Sequence, residues 1–372
     1  MEDYYIGLMS GTSIDAIDAC LIQTSNDSIR TIASYSLPFD TKLRDQLNDL
    51  CVPGDNEIER IADIENPLTD AYAQAVQQLL NKVSISSDQI RAIGCHGQTI
   101  RHRPEKSYTL QLVNPSRLAI NSGIATISDF RRADMAVGGQ GAPLVPLFHQ
   151  YLFADPNQIR VILNLGGIAN ITALAPNKPP RGWDTGPANG LMNQWIKEHQ
   201  SLAYDANGDW AAGGQVDSLL LDALLDDDYF KLAPPKSTGR EYFNLAWLNE
   251  RFQHTSGKID PQNIQTSLCE LSAQTIAEQI KQHVSNAQAL IVCGGGVHNQ
   301  FLMQRIKTHL PSVNIKSAAE YAVDPDFVEA ACFAWLAKQH VQQHALDMRF
   351  ITGQQQPVIL GGYYPPKQKS SI

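Results

Sequence analysis

The chain has 372 residues, 43% of them hydrophobic and 18% charged, enough apolar material for a sizeable core and for more than one domain. A formal net charge of -9 excludes a protein that grips a nucleic-acid backbone through a broad basic field, so an anionic ligand has to be met locally. No apolar run approaches the roughly 18 residues of a membrane span. Acids at Glu2 and Asp3 stand where a signal peptide carries positive charge, and six scattered cysteines have neither zinc-site spacing nor the density of a disulfide scaffold. The expectation is a cytoplasmic protein with reduced thiols, with no nucleic-acid or membrane partner.

In chain order, Tyr4 to Leu8, a small polar turn, and Ala16 to Ile22 predict a hairpin. Gly11, Thr12, Ser13, Ile14, Asp15, Ala16, Ile17 and Asp18 combine glycine, hydroxyls, amides and carboxylates. That is the equipment of a loop that cradles nucleotide phosphates, with Asp15 or Asp18 suited to magnesium. The ending of a Walker A loop is missing, and an ordinary hairpin turn is the competing reading. A helix is predicted over about 66–83, then a strand over 90–95 that ends at His96, Gly97, Gln98 and Thr99. Polar groups at such a strand tip face a ligand cleft and suit sugar hydroxyls or a carboxylate; a solvated basic turn is the alternative. Arg131 and Arg132, ahead of the glycine loop that carries Gln140, have the make-up of a carboxylate-binding hinge, although plain salt bridges are the commoner use of such pairs.

The strand Arg160 to Leu165, the pair Gly166 and Gly167, and Ile168 to Thr172 predict a second hairpin, either the other half of a phosphate clamp or simple punctuation. Asp184 is expected in a tight turn before a helix over 191–200, as a general base or as a turn residue. The segment Lys236 to Glu241 reads as a connecting loop more readily than as a lid. Ala289 to Cys293, then Gly294, Gly295 and Gly296, then a helix over 299–309 form a strand–glycine–helix site for an anion or nucleotide. A dinucleotide fold is a poor fit, because the third glycine of its fingerprint falls on Asn299. Asp324 and Pro325 open a last helix in which Glu329 faces either a cleft or solvent. Two glycine-tipped hairpins, each followed by alternating helices and strands, suggest duplicated α/β domains, although the two turns share only small residues.

Taken together, Gly7 to Asp18 (GLMSGTSIDAID), His96 to Pro104 (HGQTIRHRP), Asp129 to Pro146 (DFRRADMAVGGQGAPLVP), Asn164 to Thr172 (NLGGIANIT), Gly182 to Asn193 (GWDTGPANGLMN), Pro234 to Asn244 (PPKSTGREYFN), Cys293 to Asn299 (CGGGVHN) and Asp324 to Ala337 (DPDFVEAACFAWLA) resemble the anhydro-N-acetylmuramic acid kinases. The resemblance covers nearly the whole chain. It implies an α/β fold of two related actin-like, ribonuclease H-like domains that sandwich ATP and sugar and close by a hinge. It also implies conversion of 1,6-anhydro-N-acetylmuramic acid, ATP and water to N-acetylmuramic acid 6-phosphate and ADP in peptidoglycan recycling, by a homodimer. Carried over by motif, Asp184 is the base and Glu329 a second active-site acid. Gly11 to Asp18 and the pair Gly166 and Gly167 hold phosphates, Gly294 to Gly296 lie near adenosine, and Asp15 or Asp18 holds Mg2+. His96, Gln98, Thr99, Arg131 and Gln140 are the sugar-side candidates. The expected division is a first domain over 1–133, with 350–372 packing back on it, and an ATP-binding catalytic domain over 134–349. An ordinary hexose or amino-sugar kinase and a nucleotide-binding scaffold without chemistry are the competing functions.

Overall fold

The computed structural model describes residues 2–11, 13–25, 28–240, 242–252 and 259–367. Its strands are β1 (Asp3–Ser10), β2 (Ala16–Thr24), β3 (Ile29–Pro38), β4 (Ile90–Arg103), β5 (Tyr108–Leu112), β6 (Thr126–Ser128), β7 (Arg160–Leu165), β8 (Ile168–Leu174), β9 (Arg181–Pro187), β10 (Ala289–Cys293), β11 (Asn314–Ser317) and β12 (Gly362–Tyr364). The chain divides into two compact units, Met1–Phe148 with Ala322–Ile372, and His149–Tyr321. The sequence reading put these divisions at 133/134 and 349/350. The later boundary has a packing cause: the helix Val328–Val341 lies on β1 and β4 and belongs with the first sheet.

Each unit carries one sheet, and the two sheets have the same plan. In the first the order is β3-β2-β1-β4-β6-β12, with β5 paired to the far half of β4; in the second it is β9-β8-β7-β10-β11. In both, three strands form an antiparallel meander whose first member then pairs in parallel with a strand much later in the chain: β1 with β4, and β7 with β10. This is the duplicated, ribonuclease H-like arrangement that the resemblance implied. Parallel neighbours need a covered crossover, which helices supply. In the first unit Leu68, Tyr72 and Leu79 of the helix Glu57–Asn81 pack against Ile6, Leu8, Ile17 and Leu21. In the second, Leu268 and Ile276 of the helix Pro261–His283 and Leu302 and Ile306 of the helix Gln300–His309 cover Val161, Leu163, Leu290 and Val292.

Three local predictions change. The helix expected over 66–83 runs from Glu57 to Asn81, with Pro67 in its interior. Asn66-Pro67 has the look of a helix start, which is why the earlier turns are hard to see in the sequence. β4 does not stop at Cys95 but continues to Arg103, with Gly97 at a positive φ of 77° where its register against β1 shifts. The polar half of β4 is kept extended by β5, which pairs Gln98 with Leu112 and Arg103 with Tyr108. Asp184 lies on β9, opposite Asn170, rather than in a turn.

The helix Val328–Val341 sits so close to the first sheet that side chains are excluded at the crossing. A Cβ on Gly7 would lie 1.7 Å from the Ala330 carbonyl oxygen, and one on Gly94 would lie 1.9 Å from that of Phe333. Both obstacles are backbone, so no rotamer change relieves them. Gly7→Ala and Gly94→Ala are each expected to cost at least about 3 kcal/mol in urea unfolding, the upper end of ordinary overpacking. Gly295→Ala, where an added Cβ meets nothing within 4 Å, is expected to unfold like the parent.

Candidate active site

In the first unit the β1–β2 turn is stiff. The Gly11 carbonyl accepts from the Ile14 amide and from Gln98 Nε2, both at 3.2 Å, and the Asp15 carbonyl accepts from the Phe39 amide at 3.0 Å. Ile14 has a left-handed φ of 52°, rare for a β-branched residue, and its side chain is buried in the core. Ile17 is buried too, so of these two only the backbone can meet a ligand. Asp15 Oδ1 accepts from Ser13 Oγ at 2.6 Å and from the Ala16 amide at 3.0 Å, so it builds the turn. Thr12 lies outside the described residues. A Cβ on Gly11 would meet nothing closer than 3.7 Å, which leaves the tip open to an approaching group.

Beside this turn the first unit gathers a charged cluster. Arg131, on the short helix Phe130–Ala136, donates through Nε (3.0 Å) and Nη2 (2.8 Å) to His96 Nε2, and through Nη1 to the Gly141 carbonyl at 2.8 Å. His96 Nδ1 in turn lies 2.7 Å from the Gly97 carbonyl oxygen, which fixes a neutral ring with its proton on Nδ1. Burial and the neighbouring guanidinium push His96 well below its ordinary range, so it stays neutral. Burial also brings Arg131 down to about 10. Glu329, in the first turn of the helix Val328–Val341, is raised by desolvation and partly held down by Arg131. Asp18, on β2 opposite Met9, is pushed up to about 6, mainly by desolvation and further by Asp15, Glu329 and Asp326, against a hydrogen bond from Ser36. The fold thus brings Asp15, Asp18, His96, Arg131 and Glu329 into one electrostatic neighbourhood. Gln98 is wholly buried; its amide nitrogen bonds the Gly11 carbonyl, while its Oε1 has no partner. Thr99 Oγ1 accepts from Gln111 at 3.2 Å, and Gln140 is exposed with its amide bonded to the Thr352 carbonyl at 2.9 Å.

In the second unit the glycine motifs meet at the end of β7. The carbonyls of Gly166 and Gly167 accept from the amides of Asn189, Ala188 and Gly190, and Asn189 Nδ2 bonds the carbonyls of Leu165 and Gly166, both at 3.0 Å. Gly294, at φ 82°, has room for no side chain: a Cβ there would lie 2.5 Å from Asn164 Oδ1. Gly296 is closed in the same way by Leu165 and Asn189, whereas Gly295 is open. A single 3-10 turn, Gly295–His298, carries the last two of these glycines and leads into the helix Gln300–His309, which Asn299 caps through the Leu302 amide.

Near the same end of this sheet, Asp184 is held on three sides. Its amide donates to the Lys236 carbonyl at 3.0 Å, its carbonyl accepts from the Tyr229 hydroxyl at 2.9 Å, and its Oδ2 accepts from the Thr238 amide at 2.9 Å. The segment Lys236 to Arg240 is therefore more than a connector. Its anchor is Asp227, almost wholly buried. Burial raises that carboxyl, but donors from Trp247, the Tyr229 amide, Tyr242 and Arg251 outweigh burial and hold it low. Lys236, also buried, donates to the Tyr229 carbonyl at 3.0 Å, with its ammonium 4.5 Å from the Tyr229 ring centre. Sequence reading missed Asn189, Tyr229, Asp227 and Thr238. Of these, only Asn189, at the start of a helix after a glycine–proline turn, gave a local signal. Two depressions in this unit, of about 390 and 450 Å³, lie around Ala175, Lys178 and Pro179, at the other end of the same strands, and Asp184 lines neither.

A family model described as anhydro-N-acetylmuramic acid kinase matches residues 3–366. A protein of that name from Pasteurella multocida is 46% identical over 369 residues, covering 98% of this chain and 97% of its own. The corresponding protein from Thiobacillus denitrificans is 47% identical over 362 residues, 97% of each chain. That from Pseudomonas fluorescens is 45% identical over 361 residues, 97% of this chain and 99% of its own.

The raised carboxyl of Asp18 yields a stability test. Because its folded value, about 6, lies above the unfolded value of 3.8, the folded protein retains a proton that the unfolded chain releases. The penalty is nil below the unfolded value, grows as pH rises, and is complete above about 6, where it reaches about 3 kcal/mol. In metal-free buffer Asp18→Asn is expected to match the parent in urea unfolding at acid pH and to exceed it by about 2 to 3 kcal/mol at neutral pH. A difference that does not vary with pH shows that Asp18 is not a desolvated carboxyl.

Proposed function

This chain belongs to the anhydro-N-acetylmuramic acid kinase family, and we propose that it phosphorylates 1,6-anhydro-N-acetylmuramic acid at O6 with ATP while water opens the anhydro bridge. The observation that carries the mechanism is the grip on Asp184: both backbone groups and one carboxylate oxygen are fixed, so the base keeps its place. Phosphoryl transfer asks a protein for positioning and charge compensation more than for covalent chemistry.

In this reading Asp184 takes a proton from water, whose oxygen bonds C1 of the sugar. The C1–O6 bond breaks, O6 bonds the γ-phosphorus, and the bond from that phosphorus to ADP breaks. The glycine turns at Gly11 and at Gly166 and Gly167 present backbone to the phosphates, and Gly294 to Gly296 adjoin the adenosine. Arg131 meets the carboxylate of the sugar's lactyl group, in a fork geometry suited to bidentate bonding. His96 orients Arg131, Gln98 and Thr99 shape the wall beside it, and Gln140 closes over it. Glu329, whose carboxyl burial raises against the pull of Arg131, is a second acid in the same neighbourhood.

The acidic neighbourhood also fits a magnesium ion. Asp18 is a desolvated carboxyl raised by acids around it, and a divalent cation relieves that charge. Magnesium at such a site takes one or two carboxylates and completes its shell with phosphate oxygens and water. Asp15, already engaged in the turn, is the poorer ligand. When bound, the ion neutralises phosphate charge. No helix among the described residues is long and apolar enough to cross a membrane, and we place the enzyme in the cytoplasm, as a homodimer, in the recycling of peptidoglycan.

Asp184→Asn is expected to lower kcat by at least about a thousandfold while leaving ATP affinity within about threefold, as loss of a general base without loss of fold requires. In 18O-labelled water the parent enzyme is expected to place the label at C1 of the product, read by mass spectrometry. Unlabelled product instead supports an ordinary sugar kinase, in which the base activates a sugar hydroxyl. Tyr229→Phe removes the hydroxyl that holds the Asp184 carbonyl, and kcat is expected to fall about tenfold with ATP affinity unchanged, a loss in the range of one buried hydrogen bond.

A further inference from the structure

The glycine loop after Arg131 has the composition of a flexible hinge, yet it is locked from outside by the far C-terminal part of the chain. Asp134 is wholly buried and Thr352 is 2% exposed. Asp134 Oδ1 accepts from Thr352 Oγ1 at 2.6 Å and its Oδ2 from the Gly141 amide at 2.7 Å. The Thr352 carbonyl accepts from the Gln140 amide at 2.9 Å, and the Gln355 amide donates to the Val137 carbonyl at 2.8 Å. Gly139 lies flat on the carboxylate: a Cβ there would stand 2.1 Å from Asp134 Oδ2. The carbonyl of the residue so fixed, Gly141, is the one that receives Arg131 Nη1.

We propose that Thr352 and Asp134 are positioning residues for sugar recognition, which hold the Gly141 carbonyl where it aims the Arg131 guanidinium at the carboxylate of the substrate. This rests on the assignment of Arg131 made above. A guanidinium has five N–H groups. With Nε, Nη2 and Nη1 each committed to His96 or Gly141, one N–H is left on each terminal nitrogen to meet a carboxylate. That pair points correctly only while Gly141 stays in place. Removing the Thr352 hydroxyl leaves a buried carboxylate oxygen without its donor, and the loop has to shift to rehydrate it. The C-terminal segment around Thr352 thereby becomes part of the substrate-reading apparatus through the loop it holds.

The test is steady-state kinetics of the full-length enzyme with 1,6-anhydro-N-acetylmuramic acid and, as a probe without the lactyl carboxylate, 1,6-anhydro-N-acetylglucosamine. Thr352→Val is expected to raise KM for the acidic sugar about tenfold, with kcat and KM for ATP within about twofold, and to leave the neutral sugar's kinetics unchanged. Thr352→Ser, which keeps the hydroxyl, is expected to restore KM. If Thr352→Val does not fold, Thr352→Ala, which adds no bulk, takes its place. Equal losses for both sugars, or a rise in KM for ATP, overturn the proposal in favour of a general packing role. Arg131→Lys separates the two layers. If it leaves KM for the acidic sugar unchanged, the carboxylate role of Arg131 fails and the proposal with it. If it raises KM while Thr352→Val does not, the positioning role alone fails.

Discussion

A helix backbone can rest directly on a strand only where the strand has no side chain at the crossing, and Gly7 and Gly94 leave that gap beneath Ala330 and Phe333. The chemistry of the first unit depends on this close approach. It fixes the height and angle of the helix Val328–Val341 over β1 and β4, and so sets the helix start, where Glu329 stands. A helix lifted by a methyl group would carry Glu329 away from Arg131 and Asp18 and loosen Phe333, whose ring packs 4.7 Å from that of His96. The unusual titration of this cluster is a product of burial, and burial here is a product of two missing side chains.

The two units run the same topology with different fittings. In the first, the strand that pairs in parallel with the opening strand carries His96, Gln98 and Thr99, and charged groups collect around it. In the second, the equivalent strand β10 ends in glycines that pack on the end of β7, and the carboxylate comes instead from β9. One unit is thus equipped with side-chain charge and the other largely with bare backbone and a single rigid acid. Asp227 does for the second unit what the glycine crossing does for the first: a buried carboxylate with four kinds of donor fixes the segment that in turn holds Asp184.

Much of this plan was legible in the sequence. Both hairpins could be seen, because apolar runs broken by glycine and hydroxyl residues have few other conformations open to them, and the long motif blocks identified the fold that duplicates them. The duplication itself was not visible in the residues, since what repeats is the strand order while the turns repeat only smallness. Asp184 was misplaced because Thr-Gly-Pro after it reads as a turn, whereas pairing with β8 keeps it extended up to Pro187. β4 was cut short because His96 to Arg103 is polar, and nothing local reveals that β5 will cover its backbone. Thr238, Tyr229 and Thr352 gave no signal. Each acts through a hydrogen bond to a residue far along the chain, and an isolated Thr or Tyr has no pattern to betray it.

The second unit is one unbroken stretch of chain, whereas the first is assembled from both ends of it. On a ribosome the order of completion is therefore inverted. Residues 149–321 can emerge and close their own core while the earlier-made first sheet still waits for its covering helix, with the glycine floor of β1 and β4 bare. Domains usually mature from the N-terminus onward; here the unit that is begun first is the last to be finished. The nascent protein must carry an uncovered apolar sheet face through most of its synthesis, the period in which a holding chaperone has the most to offer it.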